Sequence, residues 1–124
     1  MMRKVFALTI VALMAGVLFA QEKTVTITGN LIDNACAESA KDLGARAKNH
    51  STSCAMQDAC EKSGYAVYAD DNKLYKLDDK GNDSAAHLLK NTKTKKGVKV
   101  SVEGTVEGNT IHVTKLTEVT ESID

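Results

Sequence analysis

Three cysteines and one histidine are the side chains of this 124-residue chain whose types and spacing could do chemistry. Cys36, His50, Cys54 and Cys60 lie in one short stretch. Thiolates and imidazole are ligands that Zn(II) prefers, and a set dominated by thiolates also suits Cu(I). The four side chains therefore predict a site for a soft metal ion. Asp33, close to Cys36, is predicted to accept backbone hydrogen bonds.

Helical spacing decides which of these side chains can meet. On a helix, His50 and Cys54 share a face because they are four residues apart, and the same spacing relates Met56 to Cys60. Cys54 and Cys60 differ by six positions, which on one continuous helix is about 120° around the axis and ~9 Å along it. A complete ligand set therefore requires a break in the helix.

A disulfide is the alternative use of the cysteines. An odd number leaves at least one thiol without an intrachain partner. A Cys36–Cys60 bridge would leave Cys54 free and would stabilise the fold by roughly 3 to 4 kcal/mol in the chain-entropy model. A Cys36–Cys54 bridge would leave Cys60 free. A third interpretation is thiol-redox chemistry at an exposed Cys54, although the chain lacks the C-x-x-C motif of many redox proteins.

The first twenty residues predict export. Arg3 and Lys4 precede an uncharged apolar run over residues 5–20, and polar sequence begins directly after Ala20. This pattern is typical of a secretory signal peptide. The run is shorter than the ~20 residues that a transmembrane helix needs, so we expect no stable membrane insertion after cleavage. The predicted mature protein is periplasmic or secreted, where disulfides can form.

Composition and charge narrow the class of function. The whole chain has a formal charge of zero, and the predicted mature chain, residues 21–124, has fourteen bases against sixteen acids, a charge of −2. This balance argues against a nucleic-acid partner. No phosphate-binding glycine loop, nucleophile elbow or paired-carboxylate motif occurs in the sequence. We therefore expect a non-enzymatic binding or accessory module whose partner is an envelope protein or a small ligand.

Short apolar or alternating segments predict five strands. They are residues 24–32, 65–69, 73–77, 98–106 and 111–119. The second and third segments are separated by Asp70-Asp71-Asn72, a composition typical of a tight turn. In the last segment the apolar residues lose their phase, and a bulge near Thr114-Lys115 would restore it.

The remaining segments predict helix. Residues 34–63 lack strand alternation and contain all three cysteines, and they predict a partly helical insertion between the first two strands. A short helix through Asn91, capped by Asp83 or Ser84, is predicted between the third and fourth strands. Residues 90–99 carry five Lys and predict a solvated connection.

The order strand, insertion, strand, strand, helix, strand, strand is that of a five-stranded OB-like Greek-key barrel. The segments GNLIDNACA, HSTSCAMQDACEKSGYAVY, KLYKLDDKG and VKVSVEGTVEGNTIHV resemble a group of small exported bacterial OB-fold-like proteins of uncharacterised function. This resemblance covers most of the predicted mature domain and implies fold and export, but neither a reaction nor a ligand. OB-folds often bind ligands on their middle strands, which makes Tyr65, Tyr68 and Tyr75 a candidate ligand face.

Overall fold

The fold is described for residues 23–120 by a computed structural model, so the predicted signal peptide lies outside the described residues. Five strands and five helices lie within this part of the chain. In chain order they are β1 (Val25–Asp33), α1 (Asn34–Ser39), α2 (Leu43–Asn49), α3 (Thr52–Ala55), α4 (Asp58–Ser63), β2 (Tyr65–Ala69), β3 (Leu74–Leu77), α5 (Asp79–Asn91), β4 (Lys99–Glu107) and β5 (Thr110–Glu118). The five predicted strands are therefore confirmed, with boundaries that differ by one residue or less at most ends.

The strands form one mixed sheet whose pairings close into a ring, in the order β1-β2-β3-β5-β4. β1 pairs antiparallel with both β2 and β4, and the two pairings overlap at Gly29 and Asn30. β3 and β5 are parallel neighbours, whereas β4 and β5 form an antiparallel hairpin. β1 is thus paired along both of its edges, and Asp33 is its last residue.

The predicted bulge in the last strand is confirmed. Glu103 pairs with Lys115 and Gly104 pairs with Val113, so Thr114 has no partner across the sheet. The Thr114 hydroxyl instead donates a hydrogen bond to the Glu103 carbonyl over 3.0 Å. The extra residue returns the apolar side chains of β5 to the inner face.

The insertion is partly helical, as predicted, but its helices are shorter than the spacing argument assumed. His50 ends α2 in an extended conformation, and Ser51 starts α3 by accepting a hydrogen bond from the Cys54 N–H. The prediction that His50 and Cys54 share one helical face is therefore wrong. Met56 ends α3 and Cys60 belongs to α4, so the prediction of a shared face for that pair is also wrong.

α5 begins earlier than the sequence predicts. Asp78, rather than Asp83 or Ser84, caps the helix. Its Oδ1 accepts hydrogen bonds from the Gly81 N–H at 2.9 Å and from the Val113 N–H on β5 at 3.2 Å. The first turn of α5 is thereby fixed to the sheet. The sequence prediction missed this cap because a local capping pattern does not show a contact with a neighbouring strand.

Two apolar clusters lie on opposite faces of β1. Leu31 belongs to the larger cluster, which also contains Val67, Val100 and Ile111. The next residue, Ile32, belongs to a smaller cluster with Ala37 of α1, Ala47 of α2 and Ala66 of β2. Adjacent residues of a strand face opposite sides of the sheet. The smaller cluster therefore packs the insertion against β1 at the end where Asp33 lies.

None of the helices in the described part of the chain combines the length and the apolar character needed to cross a membrane.

Candidate metal site

Asp33 lies at the centre of the candidate site. It is fully buried at the junction of β1 and α1. Its Oδ2 accepts a hydrogen bond from the Cys36 N–H at 2.9 Å and thereby caps α1, which confirms its predicted role as a backbone acceptor. Its Oδ1 lies 2.6 Å from Nε2 of His50. Both oxygens therefore have fixed positions before any ligand is considered.

Two cysteine sulfurs converge on this carboxylate. A carboxylate oxygen of Asp33 and the Sγ atoms of Cys36 and Cys60 all lie within 4.8 Å of one another. Ligand atoms around a tetrahedral zinc ion, with bonds of 2.0–2.3 Å, are separated by about 3.5 Å. Small rotations of these side chains would therefore bring them to coordinating distances.

Contacts between α1 and α4 explain why Cys36 and Cys60 meet. The Asn34 N–H donates to the Gly64 carbonyl at 2.9 Å, and the Asn34 side-chain amide donates to the Ser63 carbonyl at 2.9 Å. The Ser63 hydroxyl accepts a third hydrogen bond, from the Ala35 N–H at 3.1 Å. The two ends of the insertion are thus joined by hydrogen bonds, which bring α1 beside α4.

Asp33, Cys36 and Cys60 form the donor cluster. His50 contacts this cluster through Asp33. Its side chain is almost fully buried, and its backbone carbonyl accepts a hydrogen bond from the Gly97 N–H at 2.9 Å. An ionised carboxylate can only accept hydrogen bonds, so Nε2 carries the proton in this pair. The sequence predicts His50 as a metal ligand, whereas in the structure its Nε2 is bonded to the Asp33 carboxylate.

The charge of Asp33 is stabilised by its neighbours. Burial by itself raises the pKa of this carboxyl group, but the hydrogen bond from the Cys36 N–H and the hydrogen bond and charge of His50 lower the pKa of Asp33 below its ordinary value. A buried carboxylate that stays ionised supplies a negative oxygen ligand to a cation.

The thiol of Cys60 is a weak acid in the absence of a metal. Burial, and then the charge and hydrogen bond of Asp33 and the neighbouring Cys36, raise the pKa of Cys60 to about 11. A metal cation reverses this preference, because a coordinated thiol is deprotonated. Zinc binding at this position would therefore release a proton from Cys60.

Arg46 lies at the outer side of the cluster. Its Nη2 donates to the Cys36 Sγ over 3.6 Å, and this hydrogen bond together with the charge at Cys36 raises the pKa of Arg46. The guanidinium is exposed on α2. It places a positive charge beside one of the two clustered sulfurs and not beside the other.

Cys54 is not part of the donor cluster, although the sequence grouped it with the other cysteines. It lies on α3, beyond the break that separates α3 from α4. All three cysteines are free thiols, so the predicted disulfide is absent from the structure. The two sulfurs at the ends of the insertion are nevertheless neighbours, as the Cys36–Cys60 pairing required.

The three tyrosines do not form one ligand face. Tyr65 is only 1% exposed, and its hydroxyl donates to the Ala55 carbonyl at 2.8 Å inside the core. The hydroxyls of Tyr68 and Tyr75 instead contact Asn72 and Asp71 in the hairpin turn. Tyr65 is excluded as a surface ligand because its side chain belongs to the larger core cluster.

Asp33 is the member of the site that the sequence did not assign as a ligand. A signal was present, because Asp directly before a helical segment is a preferred N-cap. Capping alone would not reveal that the same carboxylate contacts His50 and Cys60, which are distant in sequence.

Comparisons of the chain with protein-family models, with curated proteins and with solved structures found no match. The chemistry of the site therefore follows from its own side chains.

Proposed function

We propose that this protein is a non-enzymatic metal-binding module that holds Zn(II) through Asp33, Cys36 and Cys60. The observation that carries the proposal is the convergence of one carboxylate oxygen and two thiol sulfurs within 4.8 Å. Three protein ligands leave one position of a tetrahedral shell for water or for a group of a partner molecule.

The mixed donor set favours zinc over Cu(I). Cu(I) prefers soft sulfur ligands, and a carboxylate oxygen is a hard ligand. Zn(II) accepts both sulfur and oxygen. Cys54 could supply further sulfur, but it does not belong to the donor cluster. Zinc is therefore the metal proposed, and Cu(I) is the competitor that the experiment has to include.

His50 acts in this proposal as a positioning residue. Its hydrogen bond to Oδ1 fixes the orientation of the Asp33 carboxylate, together with the hydrogen bond from the Cys36 N–H to Oδ2. Partners of this kind tune metal affinity without coordinating the ion, and their loss typically costs 10- to 100-fold in affinity.

The setting proposed for this module is the cell envelope, in a protein with an OB-like Greek-key barrel. The closed order β1-β2-β3-β5-β4, with α5 between β3 and β4, supports the fold assignment. The basic start and apolar run of residues 1–20 support export. An exported zinc module of this kind would bind an envelope protein or a small ligand.

The test is zinc affinity of the reduced chain, measured by competition with a chromophoric chelator. We expect one zinc ion per chain. Cys36→Ser and Cys60→Ser should weaken binding by about 100-fold or more, because each removes a metal ligand. Loss of a residue that only hydrogen-bonds to a ligand already costs about 10- to 100-fold in metal affinity. Cys54→Ser is the matched control and should leave the affinity unchanged.

The same titration with Cu(I) decides the metal. Loss of binding in Cys54→Ser together with unchanged binding in Cys60→Ser would contradict the proposed ligand set. A chain that binds Cu(I) and no zinc would contradict the choice of metal.

A further inference from the structure

We infer that Cys36 and Cys60 form a dithiol pair that exchanges with external disulfides, closing and reopening a bond between their two sulfur atoms. The inference uses the same side chains as the proposed metal site, but the exchange needs no metal.

The positions of the sulfurs are the first support. Both Sγ atoms lie in a group whose members are within 4.8 Å of one another, whereas a disulfide bond is about 2.05 Å long. The remaining shift is small, and the two cysteines lie on short helices, α1 and α4, that pack against each other. Cys54, the third thiol, is outside this group. The pair is therefore selected by geometry from three candidates.

The two sulfurs have different surroundings, which is the second support. The Cys36 sulfur accepts a hydrogen bond from the exposed Arg46 guanidinium. This hydrogen bond lies at the protein surface, so an external disulfide can reach the Cys36 sulfur. Both sulfurs lie within 4.8 Å of a carboxylate oxygen of Asp33, so the Arg46 guanidinium is what distinguishes the Cys36 side of the pair. Cys36 is therefore the thiol that attacks first, and Cys60 is the thiol that completes the exchange.

The exchange has two steps. The Cys36 thiolate attacks one sulfur of an external disulfide RS–SR; the S–S bond breaks, one RS⁻ leaves and takes up a proton, and a mixed disulfide joins Cys36 to the other RS group. Cys60 then gives up its proton to solvent and attacks the Cys36 Sγ, which displaces the second RS⁻. Two cysteine thiols lose two electrons and two protons, and one external disulfide becomes two thiols.

Exchange and metal binding exclude each other, a coupling that rests on the proposed function. A sulfur in a disulfide is no longer a thiolate ligand, so oxidation would leave Asp33 alone and release the zinc ion. Conversely, a bound ion would occupy both sulfurs and protect them. The chain would then hold zinc under reducing conditions and release it when disulfides accumulate.

The test treats the reduced, metal-free chain with oxidised glutathione, quenches with acid and maps the products by mass spectrometry after alkylation. We expect a Cys36–Cys60 bond as the main intramolecular product. Cys54→Ser should give the same product at the same rate. Cys60→Ser should accumulate a stable glutathione adduct on Cys36, because the second step is then blocked.

The role of Arg46 is tested by the rate of the first step. Arg46→Ala should slow adduct formation on Cys36 by about two- to fivefold, the modest effect expected of an exposed charge. Lys48→Ala removes the other cation of the last turn of α2 and should leave the rate unchanged.

Bridges that involve Cys54, or adducts that persist on all three thiols of the wild-type chain, would overturn the inference. Its failure differs from that of the proposed function. A Cys36–Cys60 bond in a chain that binds no zinc keeps the inference and rejects the metal site. Zinc binding in a chain that forms no Cys36–Cys60 bond keeps the metal site and rejects the inference.

Discussion

Asp33 combines three contacts that are separate in most proteins. One carboxylate caps α1, accepts a hydrogen bond from a buried histidine and faces two thiols. The two hydrogen bonds restrict the rotation of the short Asp33 side chain and so fix the position of its carboxylate. The candidate site therefore depends on this residue more than on any single cysteine.

Asparagine at position 33 tests the stabilising role of the charge. Asp33→Asn keeps the shape and a capping oxygen but removes the charged acceptor of the hydrogen bond from His50, and we expect a loss of about 2 kcal/mol in the free energy of unfolding at neutral pH. Urea denaturation measures it. Asp79→Asn, which changes an exposed carboxylate of α5, is the control and should change the stability by less than about 0.5 kcal/mol.

Acid stability depends on the same carboxylate. Because the pKa of Asp33 is lower in the folded chain than in the unfolded chain, its contribution is present above the unfolded pKa and is lost as the pH falls through the folded pKa. We expect the wild-type stability to fall with decreasing pH below about 4. The slope should be shallower in Asp33→Asn. Equal slopes in the two proteins would contradict the assignment.

Tyr65 makes the corresponding prediction at alkaline pH. Burial, followed by nearby negative charges, raises the pKa of Tyr65 to about 12, so the folded state favours the neutral phenol. Its contribution is present below about pH 10 and is lost as the pH rises towards 12. Tyr65→Phe should lose about 1 kcal/mol at neutral pH through the bond to the Ala55 carbonyl.

Tyr75→Phe is the matched variant for this measurement, since the Tyr75 hydroxyl reaches only the exposed Asp71. At neutral pH it should change the free energy of unfolding by less than Tyr65→Phe does. A larger effect at Tyr75 would contradict the stabilising role assigned to the buried hydrogen bond of Tyr65.

At the scale of elements, β1 connects the sheet to the insertion. Gly29 lies where β1 pairs with β2 on one edge and β4 on the other, and a Cβ there would lie 2.1 Å from the Tyr68 carbonyl oxygen. Gly29→Ala should therefore destabilise the fold by about 3 kcal/mol or more, because backbone cannot move aside as a side chain can.

Gly44→Ala provides the comparison for urea denaturation. A Cβ at Gly44, on α2, would meet only the end of the Tyr68 side chain at 3.2 Å, and alanine favours helix by up to about 1 kcal/mol. We expect a change within about 1 kcal/mol of wild type. Equal losses of unfolding free energy in Gly29→Ala and Gly44→Ala would contradict the claim that the close approach of β1 and β2 requires glycine at position 29.

The strands were predictable because alternation records which side chains face the core, and the bulge at Thr114 was predictable because it breaks that alternation. The helix break was not. Met56 and Gln57 carry no Pro or Gly signal. Nevertheless α3 ends at Met56, and Gln57 adopts an extended conformation before α4. The meeting of Cys36 with Cys60 was inferred from chain order, whereas the place of Asp33 between them depends on packing.

At the scale of the whole molecule, a bound ion should stabilise the fold. A ligand that binds only the folded state adds about 2.7 kcal/mol when its free concentration is 100 times Kd, which raises Tm by about ten degrees or more in a domain of this size. Differential scanning calorimetry with increasing zinc measures this shift. Cys54→Ser should show it in full and Cys60→Ser should not.

The contact between the insertion and the chain before β4 has a consequence for proteolysis. Lysines at positions 93, 95 and 96 are exposed, and by sequence they look like ready sites for trypsin. Yet Thr52 is hydrogen-bonded to the carbonyls of Thr94 and Lys95, and Gly97 to that of His50, so this backbone is bonded to the insertion. A protease needs a locally unfolded segment. If trypsin does not cleave at these lysines, the insertion is bonded to this segment. The digestion would show this without a probe in the candidate site.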